Sequence, residues 1–225
     1  GKTYIEDFPN LIKMAKRRLS IIKSLYSRHP GNSHSMTILD IGCAYGPFLL
    51  AAREEGFLPF GIDPAEDAVK YVQKELGIPA VQGFFPNYPL SVPRCDVITL
   101  WYVIEHFFDC ATALAEIRKM LKQKGILAFS TPSFSGISGR ASIRNFLFSN
   151  PADHFTIWSP KTCKRALKET GFKVKKIKIC GHHPERFPLA GRFCRSKKSP
   201  LYWLFLLISK AFGLGDTFEV YAEVI

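Results

Sequence analysis

Apolar residues first recur at helical spacing. Leu11, Ile12, Ala15, Leu19, Ile22 and Leu25 follow one another at three- and four-residue steps, with Lys13, Lys16, Arg17, Arg18 and Lys23 between them. The pattern predicts a basic amphipathic helix over residues 8–28. His29-Pro30-Gly31-Asn32-Ser33 closes it. The period then changes. Apolar runs at 36–41, 57–62, 79–82, 96–101 and 125–130 read as strands. The intervening stretches 47–55, 65–76 and 111–121 read as helices, with Pro47 tolerated in a first turn and Gly56 as a stop. Strands alternating with helices build a parallel sheet covered on both faces.

Residues 132–160 break this rhythm. Small residues from Ser133 to Ser142 give way to an aromatic stretch containing Phe146, Phe148, Phe155 and Trp158. An irregular segment leaving the carboxyl end of a strand is a natural place for substrate contacts, and these aromatics read as an apolar lid. Ser159-Pro160 then starts a helix to about Thr170. Residues 172–179 read as a strand, 200–212 as a helix and 217–224 as the last strand. The expected division is an amino-terminal helical segment, 1–35, and a domain, 36–225, with a substrate-covering insertion at 133–160.

Charge is strong and uneven. The formal net charge is +12. Residues 161–200 hold 13 Lys or Arg against Glu169 and Glu185, whereas residues 31–160 hold 10 basic and 12 acidic side chains. The basic excess therefore flanks the central stretch, as an accessory surface for an anionic partner would. Six cysteines show no C-x-x-C spacing and read as reduced thiols. Cys180, His182, His183 and Cys194 match no common zinc spacing, so no metal is expected. The apolar run Leu201–Ile208 is too short to span a bilayer, and no secretory leader is visible.

The clearest chemical signal is Asp40-Ile41-Gly42-Cys43-Ala44-Tyr45-Gly46, between a strand and a helix. Glycine there lets backbone approach a ligand closely, and helix N–H groups face its negative end. Asp63 follows 21 residues after Gly42, at a strand end, where an acid can accept both hydroxyls of a ribose. A dinucleotide loop would want G-x-G-x-x-G, but Ala44 and Pro47 stand at its second and third glycines. Pro47 also removes an N–H that a pyrophosphate would use. The loop therefore points to a nucleoside ligand without that diphosphate.

With these features the chain resembles the class I, Rossmann-like S-adenosylmethionine-dependent methyltransferases, nearest to small-molecule and lipid types such as the ubiquinone-biosynthesis O-methyltransferases. The stretches that carry the resemblance are ILDIGCAYGPFLLAAREEGF (38–57), FGIDPAEDAVKYV (60–72), CDVITLWYVIEHFFD (95–109), LAEIRKMLKQKGILAFSTP (114–132) and HFTIWSPKTCKRALKETGF (154–172). It implies a single α/β domain with a mostly parallel seven-stranded sheet, an antiparallel last strand and helices on both faces. It implies S-adenosylmethionine as cofactor and S-adenosylhomocysteine as product. Gly42 and Gly46, with Cys43 and Ala44 between them, would hold the methionine part. Asp40 would order the loop and meet the ammonium. Asp63 would hold the ribose, and Ile62 and Pro64 would line the adenine. Trp101 and Tyr102 would border the donor, and Glu105-His106 matches the family's Glu-His pair. Two departures stand out. Gln82-Gly83 replaces an acid near the adenine amine, and Gln123-Lys124-Gly125 replaces a Pro-Gly-Gly turn.

Methyl transfer from a sulfonium is a displacement at carbon that leans on alignment, with a base needed only for a protonated acceptor. His106 is the first candidate base and His154 the second, with Tyr102 orienting the acceptor. Tyr4 would reach over the cofactor from the amino-terminal segment. The expected reaction is methylation of oxygen or nitrogen on a small-molecule, lipid-linked or glycan-type acceptor. RNA or protein methylation and a non-catalytic cofactor-binding scaffold are the alternatives. The protein is expected in the cytoplasm. Its basic flanks and the apolar 201–212 stretch suit peripheral contact with an anionic membrane, and nucleic acid is a less favoured partner.

Overall fold

The structure is a computed structural model that describes residues 6–26, 35–87, 93–188, 193–194 and 196–225. Seven strands form one sheet: β1 (Thr37–Ile41), β2 (Leu58–Asp63), β3 (Ala80–Gln82), β4 (Cys95–Trp101), β5 (Leu121–Pro132), β6 (Phe172–Cys180) and β7 (Thr217–Val224). Their order is β3-β2-β1-β4-β5-β7-β6. β7 runs antiparallel to both of its neighbours, and the other pairings are parallel. The order reverses between β1 and β4, which opens a crevice at their carboxyl ends.

Among the described residues eight α-helices follow in chain order: α1 (Phe8–Tyr26), α2 (Pro47–Glu54), α3 (Glu66–Lys74), α4 (Cys110–Met120), α5 (Ile137–Ala141), α6 (Ile143–Phe148), α7 (Pro160–Glu169) and α8 (Pro200–Ala211). Alternation along the strands divides the core between two faces. Ile38, Val97, Ile126, Ala128 and Tyr221 turn toward α1 and α2. Leu39, Ile98, Leu127, Phe129 and Val220 turn toward α4 and α7. Both faces are covered, as a parallel sheet requires. The first helix thus shares its core with the sheet. Its far end is fixed by Asp96, which accepts from the hydroxyl of Tyr26 and, at 2.9 Å, from the backbone N–H of Thr37.

The structure adds detail where sequence rhythm was weak. β5 starts at Leu121 rather than Gly125, because Leu121 already pairs with Cys95 before the register shifts to Ile126 opposite Val97. Lys124 takes a φ of +60° inside that irregularity, the cost of lacking the first glycine of the usual turn. The 133–160 segment is not wholly irregular. Ser142 caps α6 by accepting from the N–H of Asn145, and α6 buries none of its side chains. Ser159 and Thr162 form a reciprocal capping box that starts α7.

Candidate active site

The glycine loop turns at the carboxyl end of β1, and its geometry explains its residues. Gly42 has a φ of +72°, and a side chain there would collide with Val103. Gly46 has a φ of +77°, and its Cβ would lie 2.8 Å from Val72. Ala44 also takes a positive φ, of 47°, so the loop tolerates a strained alanine where a dinucleotide loop has glycine. Asp63 holds that alanine. Its two carboxylate oxygens accept from the N–H groups of Ala44 at 2.7 Å and Ala65 at 2.9 Å. Each oxygen keeps a second lone pair for a ligand hydroxyl.

Two cavities meet at this loop. One, of about 530 Å³, runs past Ile62, Asp63, Pro64 and Gly83 to His106 and Phe155. The other, of about 250 Å³, lies between the loop and α1 and is lined by Asp40, Arg18 and Phe48. Gly42, Trp101 and Tyr102 line both. A third space of about 750 Å³, beside Arg94, Gln123 and Gly171, lies at the amino ends of β4, β5 and β6 and contains none of the expected site residues.

Asp40 is fully buried, and burial pushes its carboxyl up to about 7, against the hydrogen bond from Thr99 at 2.6 Å and the charge of Arg18. Arg18 was read as one of the basic residues between the apolar positions of the first helix. It is instead 5% exposed. It pairs with Glu219 at 2.8 Å and stacks 3.9 Å from the centroid of Trp101. Its position between Ala15 and Ile22 on the apolar stripe was the available signal. The indole N–H of Trp101 is buried without a partner among the described residues.

The other end of the larger cavity is built by the 3₁₀ turn Ile104–His106. The returning 154–158 segment is laced to this turn, since the N–H groups of Phe155 and Thr156 both donate to Glu105 O. His106 Nδ1 meets Asp153 O at 3.1 Å and Asp153 Oδ2 at 3.2 Å. His154 stands edge-on to His106 with ring centroids 4.6 Å apart, and its Nδ1 meets Asn150 Oδ1 at 3.0 Å. Burial and then the neighbouring His106 charge hold His154 below the ordinary histidine range. Burial pushes the Glu105 carboxyl up, and its Oε2 has no partner among the described residues. Glu105, His106 and His154 bring three ligand-type atoms within 4.8 Å of one another. The sequence expectation of no metal did not weigh this grouping, because His154 lies far along the chain from the Glu-His pair and is brought back by the segment that includes Asp153, 47 positions after His106.

The expected residues therefore divide. Gly42, Ala44, Ile62, Asp63, Pro64, Gly83, Trp101, Tyr102 and His106 line the larger cavity, and Asp40 and Cys43 line the smaller. The thiol of Cys43 is pushed up by burial and packs under Gly61, so Cys43 can offer a ligand only its backbone. Gln82 lies outside the cavity lining, with its amide nitrogen 3.2 Å from Pro64 O. Gly46 is buried against Val72 and shapes the turn from behind. His154 backs His106 without lining either cavity. Tyr4 lies outside the described residues. The apolar lid separates too: Phe155 lines the cavity, Trp158 is buried in the core, and Phe148 is 78% exposed. Tyr102 carries a signal invisible in sequence, a φ of +61° in a residue that is not glycine. Such strain persists where surrounding structure holds it, often at functional sites.

The cavities fit the donor that the resemblance implies. A buried acid faces the smaller pocket, a second acid with spare lone pairs faces the larger, and glycine separates the two.

Comparison with known proteins agrees. The profile of the methyltransferase-domain family matches residues 5–177. A protein of Mycobacterium tuberculosis named as a probable S-adenosylmethionine-dependent methyltransferase is 29% identical over 112 residues, 48% of this chain and 40% of its own length. An uncharacterized methyltransferase of Geobacillus is 28% identical over 101 residues, 43% of this chain and 47% of its own. The matched stretch thus spans less than half of either relative. Among solved structures, an S-adenosylmethionine-dependent methyltransferase from Archaeoglobus fulgidus superposes with a TM-score of 0.63 at 23% identity, covering 94% of both chains. A magnesium protoporphyrin IX methyltransferase from Synechocystis, holding S-adenosylhomocysteine, superposes with a TM-score of 0.62 at 12% identity over 100% of this chain and 89% of that one. These two share the fold.

Proposed function

The chain belongs to the methyltransferase-domain family, with S-adenosylmethionine as methyl donor and S-adenosylhomocysteine as product, and we propose that its acceptor is a small-molecule, lipid-linked or glycan-type compound methylated on oxygen or nitrogen. Once bound, the donor's sulfonium supplies a methyl group open to direct displacement at carbon. The rest is the work of the chain's own side chains. Asp63 would accept from the ribose hydroxyls. Asp40 would meet the ammonium across the loop that Gly42 keeps low. Tyr102 orients the acceptor beside Trp101, and His106, steadied through Nδ1 by Asp153, takes the acceptor's proton on Nε2. His154 positions His106 from behind. Phe84, Phe85, Phe107 and Phe155 line the same cavity and keep water from the acceptor.

One observation carries this reading: the larger cavity runs from Ile62, Asp63 and Pro64, where the donor's nucleoside would lie, to His106 among aromatics, and it shares Gly42, Trp101 and Tyr102 with the smaller cavity that Asp40 lines. That cavity suits a compact or apolar acceptor such as an isoprenoid quinone precursor, a lipid or a cell-surface glycan intermediate. The test is transfer of a labelled methyl group to cell extract fractionated into lipid, small-molecule, RNA and protein pools. Label in the lipid or small-molecule pool is the expected result. Label confined to RNA or protein replaces the acceptor, and binding of S-adenosylhomocysteine with no transfer to any pool turns the reading into a scaffold.

A further inference from the structure

α8 presents an apolar surface that the sheet does not use. Its inward side is fixed by Phe205 against Phe187, with centroids 4.9 Å apart, and by Ser209 Oγ, 2.8 Å from His182 Nδ1. Ser209 is its one fully buried residue. Leu201, Trp203, Leu204 and Leu207 are each 42–64% exposed, and Phe212 just past its end is 71% exposed. Large apolar side chains gathered on one exposed face mark an interaction surface.

Charge selects the occupant. Lys197 and Lys198 precede the helix and Lys210 lies in its last turn. All three are exposed and form no ion pair among the described residues. Residues 181–215 hold six Lys or Arg and one acid, Glu185, which already meets His183 at 2.9 Å. A second copy of this face would bring like charges together across a two-fold axis. An anionic lipid headgroup layer complements the lysines, while the acyl boundary beneath accepts tryptophan and leucine.

Length and placement agree with that occupant. Twelve residues of helix span about 18 Å, so α8 lies along a bilayer rather than across it. No helix of the described residues is long and apolar enough to cross one. α8 connects β6 to β7, so it sits at the carboxyl end of the sheet, where the larger cavity opens. Its exit loop is tied to α5: Ile137 N–H donates to Leu214 O at 2.9 Å, and Asp216 accepts from Ser138 N–H at 2.9 Å.

We propose that α8 is a monotopic docking helix, with Trp203, Leu204 and Leu207 buried in the interface of an anionic bilayer and Lys197, Lys198 and Lys210 on its headgroups. The test is co-sedimentation of the full chain with phosphatidylcholine vesicles with and without phosphatidylglycerol. The expected result is binding that requires phosphatidylglycerol and weakens with salt, with a blue shift in fluorescence that Trp203→Phe removes. Leu204→Asp with Leu207→Asp should weaken vesicle binding at least about tenfold and leave S-adenosylhomocysteine binding unchanged, which also shows that the variant is folded. Lys197→Glu with Lys198→Glu should reduce the dependence on phosphatidylglycerol. Absence of vesicle binding, or equal binding by the Leu204/Leu207 double variant, overturns the proposal. A dimer in sedimentation velocity that the same double variant abolishes overturns it in favour of a second copy.

Discussion

Arg18 on the first helix and Glu219 on the last strand form a 2.8 Å ion pair with side chains only 6% and 4% exposed. The pair closes the sheet's α1 face and holds the guanidinium over Trp101, at the wall of the smaller cavity. Glu219 also meets Tyr221 at 3.0 Å and Lys178 at 3.3 Å.

Removing Arg18 leaves Glu219 in a dry site with only Lys178 and the Tyr221 hydroxyl as partners. Arg18→Ala should therefore cost ~2 kcal/mol in urea unfolding. It should also weaken cofactor binding, because Trp101 loses its stacking partner. A loss under about 1 kcal/mol would put the pair on a par with exposed ones and deny it this role.

Gly42→Ala tests the loop without touching an ionisable group. The new methyl meets Val103, and the backbone is held at a φ of +72°. The strain is of order 1–3 kcal/mol, and the loop must shift to relieve it. The expected outcome is a folded protein with at least about tenfold weaker S-adenosylhomocysteine binding by calorimetry, the equivalent of 1.4 kcal/mol. Unchanged affinity would remove the loop from the donor site.

The sheet, its neighbours and the glycine loop were legible because each obeys a local rule. Alternating periods mark strands and helices, and Gly42 with Asp63 marks a strand–turn–helix ligand site. Arg18 was misread because a charged residue on an apolar stripe looks like a neighbour of the wet face until Glu219, 201 residues away, is brought to it. The Asp153–His106–His154 cluster was half legible: both histidines were named, but their meeting depends on how the 133–160 segment returns. α5 and α6 were missed because elements of five and six residues leave almost no periodic trace.

Donor binding should depend on pH through Asp40. Its carboxyl is held at about 7, raised by burial and by Asp63 and lowered by Thr99 and Arg18. The unfolded group loses its proton near 3.8. Its contribution to stability is therefore complete below that value and is lost as pH rises through about 7. A bound ammonium reverses the preference and favours the carboxylate. Affinity for S-adenosylmethionine should fall as pH drops below about 7, by at most about tenfold per pH unit, and Asp40→Asn should flatten the profile. A wild-type profile flat between pH 5 and 8 would separate Asp40 from the donor.

His106→Ala should leave donor affinity intact and lower kcat by ~10²–10⁴. His154→Ala, which removes only the ring packed edge-on against His106, should act more weakly, through the orientation of His106. An equal loss from both variants would mean that the two rings act as one unit. No loss from His106→Ala would mean that the acceptor arrives already deprotonated.

Tyr102 sets stability against activity. At a φ of +61° a tyrosine is strained; the residue is 42% exposed, and its backbone N–H is held by Ser130 O at 3.0 Å. It lines both cavities, where donor and acceptor would meet. Tyr102→Gly should raise stability by ~1 kcal/mol as the strain is relieved, while kcat/KM falls. Asn, which tolerates this backbone region better than tyrosine does, should give the same split at smaller size. Thermal unfolding and labelled-methyl kinetics on the same samples decide the matter. A variant less stable than the parent would show that the tyrosine ring, rather than function, holds the backbone in this conformation.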